Sequence, residues 1–141
     1  MKIIPYTYNP FQKPIEAILI LLGGGVLYYG IEVLWRGYSH WSMALCGAIC
    51  FYALYRLNGS YPRLSLPFRA LLGALFITAV ELFVGCLLNL GMGLSVWDYS
   101  QMPLNFLGQI CLPYSIVWFL LCFPIAGVSY LIRRHVFYAN A

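Results

Sequence analysis

Glu81 is the residue whose chemistry needs explaining first, because it falls past the middle of the apolar run Phe68 to Leu90, whose one cation, Arg69, stands twelve residues away at the start of the run. A charged side chain near a bilayer centre costs on the order of 3 kcal/mol on insertion scales, and it normally faces a bundle interior or a watery cavity. Gly85 and Asn89 follow at i+4 and i+8, so a helix presents one stripe carrying a carboxyl, a gap and an amide. Proton or cation handling is the chemistry such a stripe could do. A neutral carboxyl hydrogen-bonded to a neighbouring helix, serving packing alone, accounts for it equally well. Asn89, Gln109 and Arg36 are the groups expected to satisfy the carboxyl.

A second concentration of polar groups lies in VWDYSQMPLNFLGQICLPYS, Val96 to Ser115, between two apolar runs. With RGYSHWSM after the first run, it sets Glu32, Arg36, His40 and Asp98 at one membrane face. These four join Glu81, Asn89 and Gln109 as candidate ligand-binding residues. Glu32 and Arg36 at i and i+4 also fit a plain salt-bridged helix end. Tyr38, Trp41, Trp97 and Tyr99 suit an interfacial aromatic belt. The segment is expected to be an ordered outer-face element capping the cavity that Glu81 lines. Trp97 and Tyr99 anchor it, Pro103 fixes a turn and Asn105 caps the following helix.

Other chemistry is not encoded in any recognisable pattern. GGGVLYYG lacks the Lys and Ser or Thr that a phosphate loop needs. The five cysteines form no CxxC pair; Cys46 and Cys50 share a helical face but have no His or carboxylate beside them, so they are expected to pack as small hydrophobes. No Ser-His-Asp or paired-carboxylate arrangement can be assembled. The expectation is no catalytic residue, no enzyme, no metal and no cofactor. The NGS sequon at Asn58 is discounted because it falls in a loop assigned to the cytoplasm.

The elements that must position these residues follow from composition. Hydrophobic residues make up 62% of the chain and charged ones 9%, against roughly a quarter charged in soluble domains, so lipid is the solvent. Crossing about 30 Å of hydrocarbon takes about 20 apolar residues. Four windows fit, at about 15–35, 41–57, 68–90 and 107–132. Period-2 alternation is absent, and backbone groups in lipid must bond within their own segment, which favours helices over a barrel. The expected fold is all-α, one domain over 1–141, an integral membrane bundle of four transmembrane helices.

An N-terminal arm, 1–14, precedes the first span, its Pro5, Pro10 and Pro14 forbidding helix until near Ile15. The apolar run that follows is too long for a signal peptide and lacks a small-residue cleavage site. Gly23, Gly24, Gly25, Ala44, Gly47, Ala48, Gly73 and Gly85 mark close helix approach. Pro113 and Pro124 are expected to kink the fourth span. Seven cations, Lys2, Lys13, Arg56, Arg63, Arg69, Arg133 and Arg134, fall on the side of the termini, and Arg36 alone on the other. Both termini, including a short basic C-terminal tail, are therefore expected in the cytoplasm. The net charge of +4 then reflects topology and attraction to anionic lipid, with no nucleic-acid partner.

GYSHWSM, ELFVGCLLN (Glu81 to Asn89) and above all VWDYSQMPLNFLGQICLPYSIVWF resemble the ABC-transporter type IV, or CmpB, family of small bacterial multipass membrane proteins. The resemblance runs from about Tyr29 to the last span. It implies a role in transport at the bacterial cell (inner) membrane and adds no substrate. Since four spans are few for a transport path and no ATP-binding motif is present, the partners expected besides the lipid bilayer are further copies of the chain, or other membrane or ATPase subunits. The leading expectation is a permease-like or accessory transport subunit. The alternatives are an assembly or scaffold partner without a ligand, and a lipid-binding protein or membrane enzyme acting at the outer face.

Overall fold

A computed structural model describes residues 12–137. Four helices dominate: α1 (Gln12–Arg36), α2 (Trp41–Ser60), α3 (Leu66–Gly85) and α4 (Leu112–Ile132). Two of them continue as π-helix, α3 through Cys86–Gly91 and α4 through Arg133–Phe137. The loop 92–111 joins the two halves and contains a feature not expected in a purely helical bundle. Two short strands, β1 (Asn105–Phe106) and β2 (Ile110–Cys111), pair antiparallel with Phe106 opposite Ile110.

Three stretches, Lys13–Arg36, Leu66–Gly91 and Leu112–Phe137, are long and apolar enough to cross a membrane. The window at 41–57 is not among them. It forms a 20-residue helix, but Ser42, Arg56, Asn58 and Ser60 dilute its apolar character. Helix α2 packs against α1, α3 and α4, whereas α1 packs chiefly on α2. The outer faces of the other helices are apolar and uncovered: Val26, Leu34 and Phe83 are each at least 70% exposed, as expected where the neighbour is lipid rather than water.

Glycine sets the α1–α2 contact. A Cβ on Gly24 would lie 2.6 Å from Cβ of Phe51, one on Gly25 2.8 Å from the Ala44 carbonyl oxygen, and one on Gly47 would overlap Tyr28. Gly23 faces open space, so the triplet contributes two contact positions rather than three. Two buried clusters fill the bundle at different depths. One joins Met43, Leu88, Val96 and Trp97; the other joins Leu54, Ala70 and Cys122.

Several boundaries differ from expectation for identifiable reasons. Helix α1 already begins at Gln12, because Pro14 falls in the first turn, where a missing N–H costs no hydrogen bond. Helix α4 starts at Leu112 rather than near 107, so Pro113 occupies a first-turn position and does not kink it; Pro124 is the interior proline. The basic tail continues the fourth helix to Phe137. Lys2, Pro5 and Pro10 lie outside the described residues.

Candidate functional site

Both oxygens of the Glu81 carboxyl are engaged, and neither by a cation. Tyr99 Oη donates to Oε1 at 2.8 Å and Trp118 Nε1 donates to Oε2 at 3.1 Å. Tyr99 stacks on Tyr114 with ring centroids 4.7 Å apart, Tyr114 leans on Trp118 at 6.2 Å, and Trp118 faces Tyr28 at 6.4 Å. An aromatic collar therefore surrounds the carboxyl and supplies its hydrogen bonds. Arg36, expected as a partner, points elsewhere, and the two aromatic donors take its place because they reach the carboxyl without carrying a charge into the apolar interior.

The collar stands over a cavity of about 210 Å³ among all four helices, lined by Tyr28, Cys46, Cys50, Ile77, Glu81 and Trp118 among others. Its walls draw on both buried clusters, Met43 and Trp97 from one and Leu54 from the other, so it lies between them. Glu81 is the only acidic or basic residue in the lining among the described residues. A carboxylate offers about four lone-pair sites, so the two bonds it accepts leave capacity for a polar group entering the cavity. The space otherwise suits an apolar moiety.

The stripe of Glu81, Gly85 and Asn89 exists as spaced, and it faces the loop 92–111 as well as the cavity. Below Asn89, a Cβ on Gly85 would lie 2.6 Å from Gln109 Oε1 and 3.0 Å from the Trp97 ring. Asn89 lies in the π-helical turn, a local overwide turn frequent at functional sites. Its Nδ2 donates to Gln109 Oε1 at 2.8 Å and its Oδ1 accepts from Val96 N at 2.7 Å. Gln109 Nε2 donates to the Leu107 carbonyl at 3.0 Å, and Trp97 Nε1 donates to the carbonyl of Gln109 at 3.0 Å. Glu81, Asn89 and Gln109 are thus brought together through the loop.

Glu32 and Arg36 fasten the same loop from α1. They pair at 3.0 Å; Ser39 Oγ and Tyr28 Oη also donate to Glu32, at 2.7 and 3.4 Å. Arg36 Nη1 then donates to the Val96 carbonyl at 3.0 Å. His40 and Asp98 stay apart from the cavity. His40 caps α2, its Nδ1 accepting from Ser42 N at 3.3 Å. Asp98 is exposed and accepts from Ser100 N at 2.8 Å. That backbone bond holds its carboxyl below the ordinary carboxylate range.

Three of the four loop residues, Trp97, Tyr99 and Asn105, depart from their expected roles. Trp97 is buried at 8% exposure instead of lying at the interface, because its ring closes over Gly85 and its N–H finds an acceptor there. Tyr99 is half-buried on Glu81 rather than anchored in headgroups. Asn105 does not cap α4, whose cap position is Cys111. It organises the turn instead, donating to the carbonyls of Ser100 and Met102 at 3.2 and 2.9 Å and accepting from Gly108 N at 3.1 Å. Pro103 lies in that turn. Leu104 and Leu107 hold φ of 50° and 54°, a strained region costing about 1–3 kcal/mol per residue unless the surroundings fix it. Asn105, bonded on both sides, helps to fix it.

The residues that complete the site, Tyr28, Tyr114 and Trp118, were not expected in it. Trp118 left the clearest sequence signal, an indole N–H inside an uncharged run, which needs an acceptor when buried.

The opposite end of the bundle has its own polar cluster. Buried Glu16 accepts from Tyr55 Oη and lies 3.7 Å from Arg133 Nη1. The Arg133 guanidinium lies 3.8 Å over the Tyr55 ring and donates to the Tyr55 carbonyl at 2.7 Å. Arg69, at the start of α3, donates to Asn58 Oδ1 near the end of α2 at 2.8 Å.

Compared with known proteins, residues 20–139 match the family model described as "Putative ABC-transporter type IV". No curated protein and no solved structure matches the chain.

Proposed function

From the premise that the chain belongs to the ABC-transporter type IV (CmpB) family and is a multipass membrane protein, we propose that it is a permease-like or accessory subunit of a transport system in the bacterial cell membrane. The observation that carries this reading is the cavity of about 210 Å³ inside the bundle, apolar except for the doubly bonded Glu81. A scaffold without a ligand has no need of a concavity at that depth, nor of an acid whose insertion is costly. In this reading an ATPase partner supplies the energy for transport. An outer-face enzyme is less favoured, since Asp98 and His40 are occupied in a turn and a helix cap.

The proposed topology has four spans and both termini in the cytoplasm. Its support is that the starts of α1 and α3 and the ends of α2 and α4 meet at one end of the bundle, through Glu16, Tyr55, Arg133, Asn58 and Arg69. If α1 and α3 both cross outward from that end, α2 must bring the chain back.

The test is affinity purification of the tagged chain from native membranes in mild detergent. An ATPase recovered in stoichiometric amount, whose hydrolysis falls when Ile77→Trp fills the cavity, is the expected result. Recovery of the chain alone, or with a partner whose stability depends on it while cavity filling changes nothing, would replace the transport reading with the scaffold one.

A further inference from the structure

We infer that the end of the bundle carrying Arg133 holds a binding site for a phosphate-bearing anion, with the headgroup of an acidic phospholipid as its principal ligand. Where α1 begins and α2 and α4 end, a second concavity of about 240 Å³ opens, lined by Lys13, Glu16, Tyr52, Arg56, Gly59 and Arg133 among others. Three of those side chains are cationic and one is a carboxylate. Glu16 offsets one charge, and the excess is positive. Field from like charges gathered in a concavity is focused there rather than spread over the surface.

The site is built rather than incidental. The Arg133 guanidinium is fixed by the Tyr55 ring beneath it, by the Tyr55 carbonyl and by Glu16. Gly59 makes the room, since a Cβ there would overlap the guanidinium. A planar fork held in place loses little freedom on binding an oxyanion. Lys13 and Arg56 are exposed, one at the start of α1 and one near the end of α2.

The location selects the lipid source. Lys13 begins the first membrane-crossing stretch and Arg133 follows the apolar part of the last, so the concavity opens at headgroup depth, where basic pockets between transmembrane helices take acidic lipids. Ile15, Ile18 and Leu19, close in sequence to the lining residues Lys13 and Glu16, and Leu131, two residues before Arg133, are exposed apolar side chains, against which acyl chains can lie. The inference does not depend on the transport reading.

Thermal unfolding of the purified chain in a zwitterionic detergent, titrated with lipid, tests it. Phosphatidylglycerol should stabilise the protein and phosphatidylcholine should not. Lys13→Gln with Arg56→Gln should raise the half-maximal phosphatidylglycerol concentration about thirtyfold, each variant being read against its own lipid-free melting temperature. Gly59→Ala, which displaces the guanidinium, should weaken the same response. Arg63→Gln with Arg134→Gln removes two exposed cations of this end that do not line the concavity, and should shift the midpoint roughly twofold at most. Inorganic phosphate that stabilises the parent, competes with phosphatidylglycerol and fails on the Lys13, Arg56 variant would keep the site and make the soluble anion its ligand. Equal responses to the two lipids, or equal losses in the two double variants, would overturn it.

Discussion

The carboxyl of Glu81 separates two roles by the donors it meets. Tyr99 can donate or accept, whereas the Trp118 indole can only donate. Glu81→Gln can therefore keep both contacts, its oxygen toward Trp118 and its NH₂ toward Tyr99, and should change thermal stability by about 1 kcal/mol or less. Glu81→Leu leaves two half-buried donors without their acceptor and should cost more, up to about 1–3 kcal/mol for each. A chemical melt in detergent of both variants checks the order; equal losses would mean the hydrogen bonds contribute nothing. Activity divides the roles further, since a proton or cation site fails as Gln and a packing carboxyl does not. Asp98 makes a different prediction. Its folded-state pKa is depressed by the Ser100 N–H, so its contribution to the turn is complete at neutral pH and is lost only as pH falls through that lowered value. The Ser100 amide resonance should titrate with a midpoint below that of an unstructured Asp, and Asp98→Asn should abolish the titration. The position and cost of Glu81 are legible in the sequence because depth in an apolar run is a local property. Its partners are not, since Tyr99 and Trp118 stand 18 and 37 residues away and no periodic pattern links them to it.

At the scale of elements, the glycines distinguish contact from composition. Gly47 receives Tyr28 and Gly23 faces open space, although both sit in runs of small residues. Gly47→Leu should drive α1 from α2 and cost about 1–3 kcal/mol, as overpacked interfaces do. Gly23→Ala should be neutral or stabilising by up to about 1 kcal/mol, because alanine is the better helix former. Thermal melts of the pair decide it; similar losses would mean that the α1–α2 contact is not built on Gly47. The four helices were legible from apolar length alone, within a few residues at most ends. The larger miss came where local chemistry competes with the helix. Residues 107–111 read as part of an apolar run, yet Leu107, Gly108 and Gln109 turn and Ile110 pairs with Phe106. Asn105 drives that outcome, because a short amide satisfies the backbone of a turn better than it caps a helix six residues further on.

For the whole molecule, the arrangement of helix ends turns an ambiguous α2 into a definite topological prediction. Judged on composition, α2 falls outside the stretches apolar enough to cross a membrane, and three crossings would leave the termini on opposite sides. The proposed four-span topology rests instead on which helix ends meet. Glu16 at the start of α1 meets Tyr55 near the end of α2 and Arg133 beyond α4, and Arg69 at the start of α3 meets Asn58 near the end of α2. Two helices that begin at the same end and cross in the same direction require a return between them. Helix α2, at 20 residues and about 1.5 Å per residue, has about 30 Å for it. Its polar residues lie near its ends, Ser42 buried at one and Arg56, Asn58 and Ser60 at the other, within reach of headgroups. Cysteines placed singly at Tyr38, Gln101 and Arg63 in a variant lacking the native thiols should therefore label from opposite sides in whole cells. Impermeant maleimide should reach positions 38 and 101 from outside and position 63 only after the membrane is opened. Labelling of 38 and 63 from one side would mean that α2 does not cross. Labelling of 63 alone from outside would keep four spans and reverse the orientation inferred from the cation count.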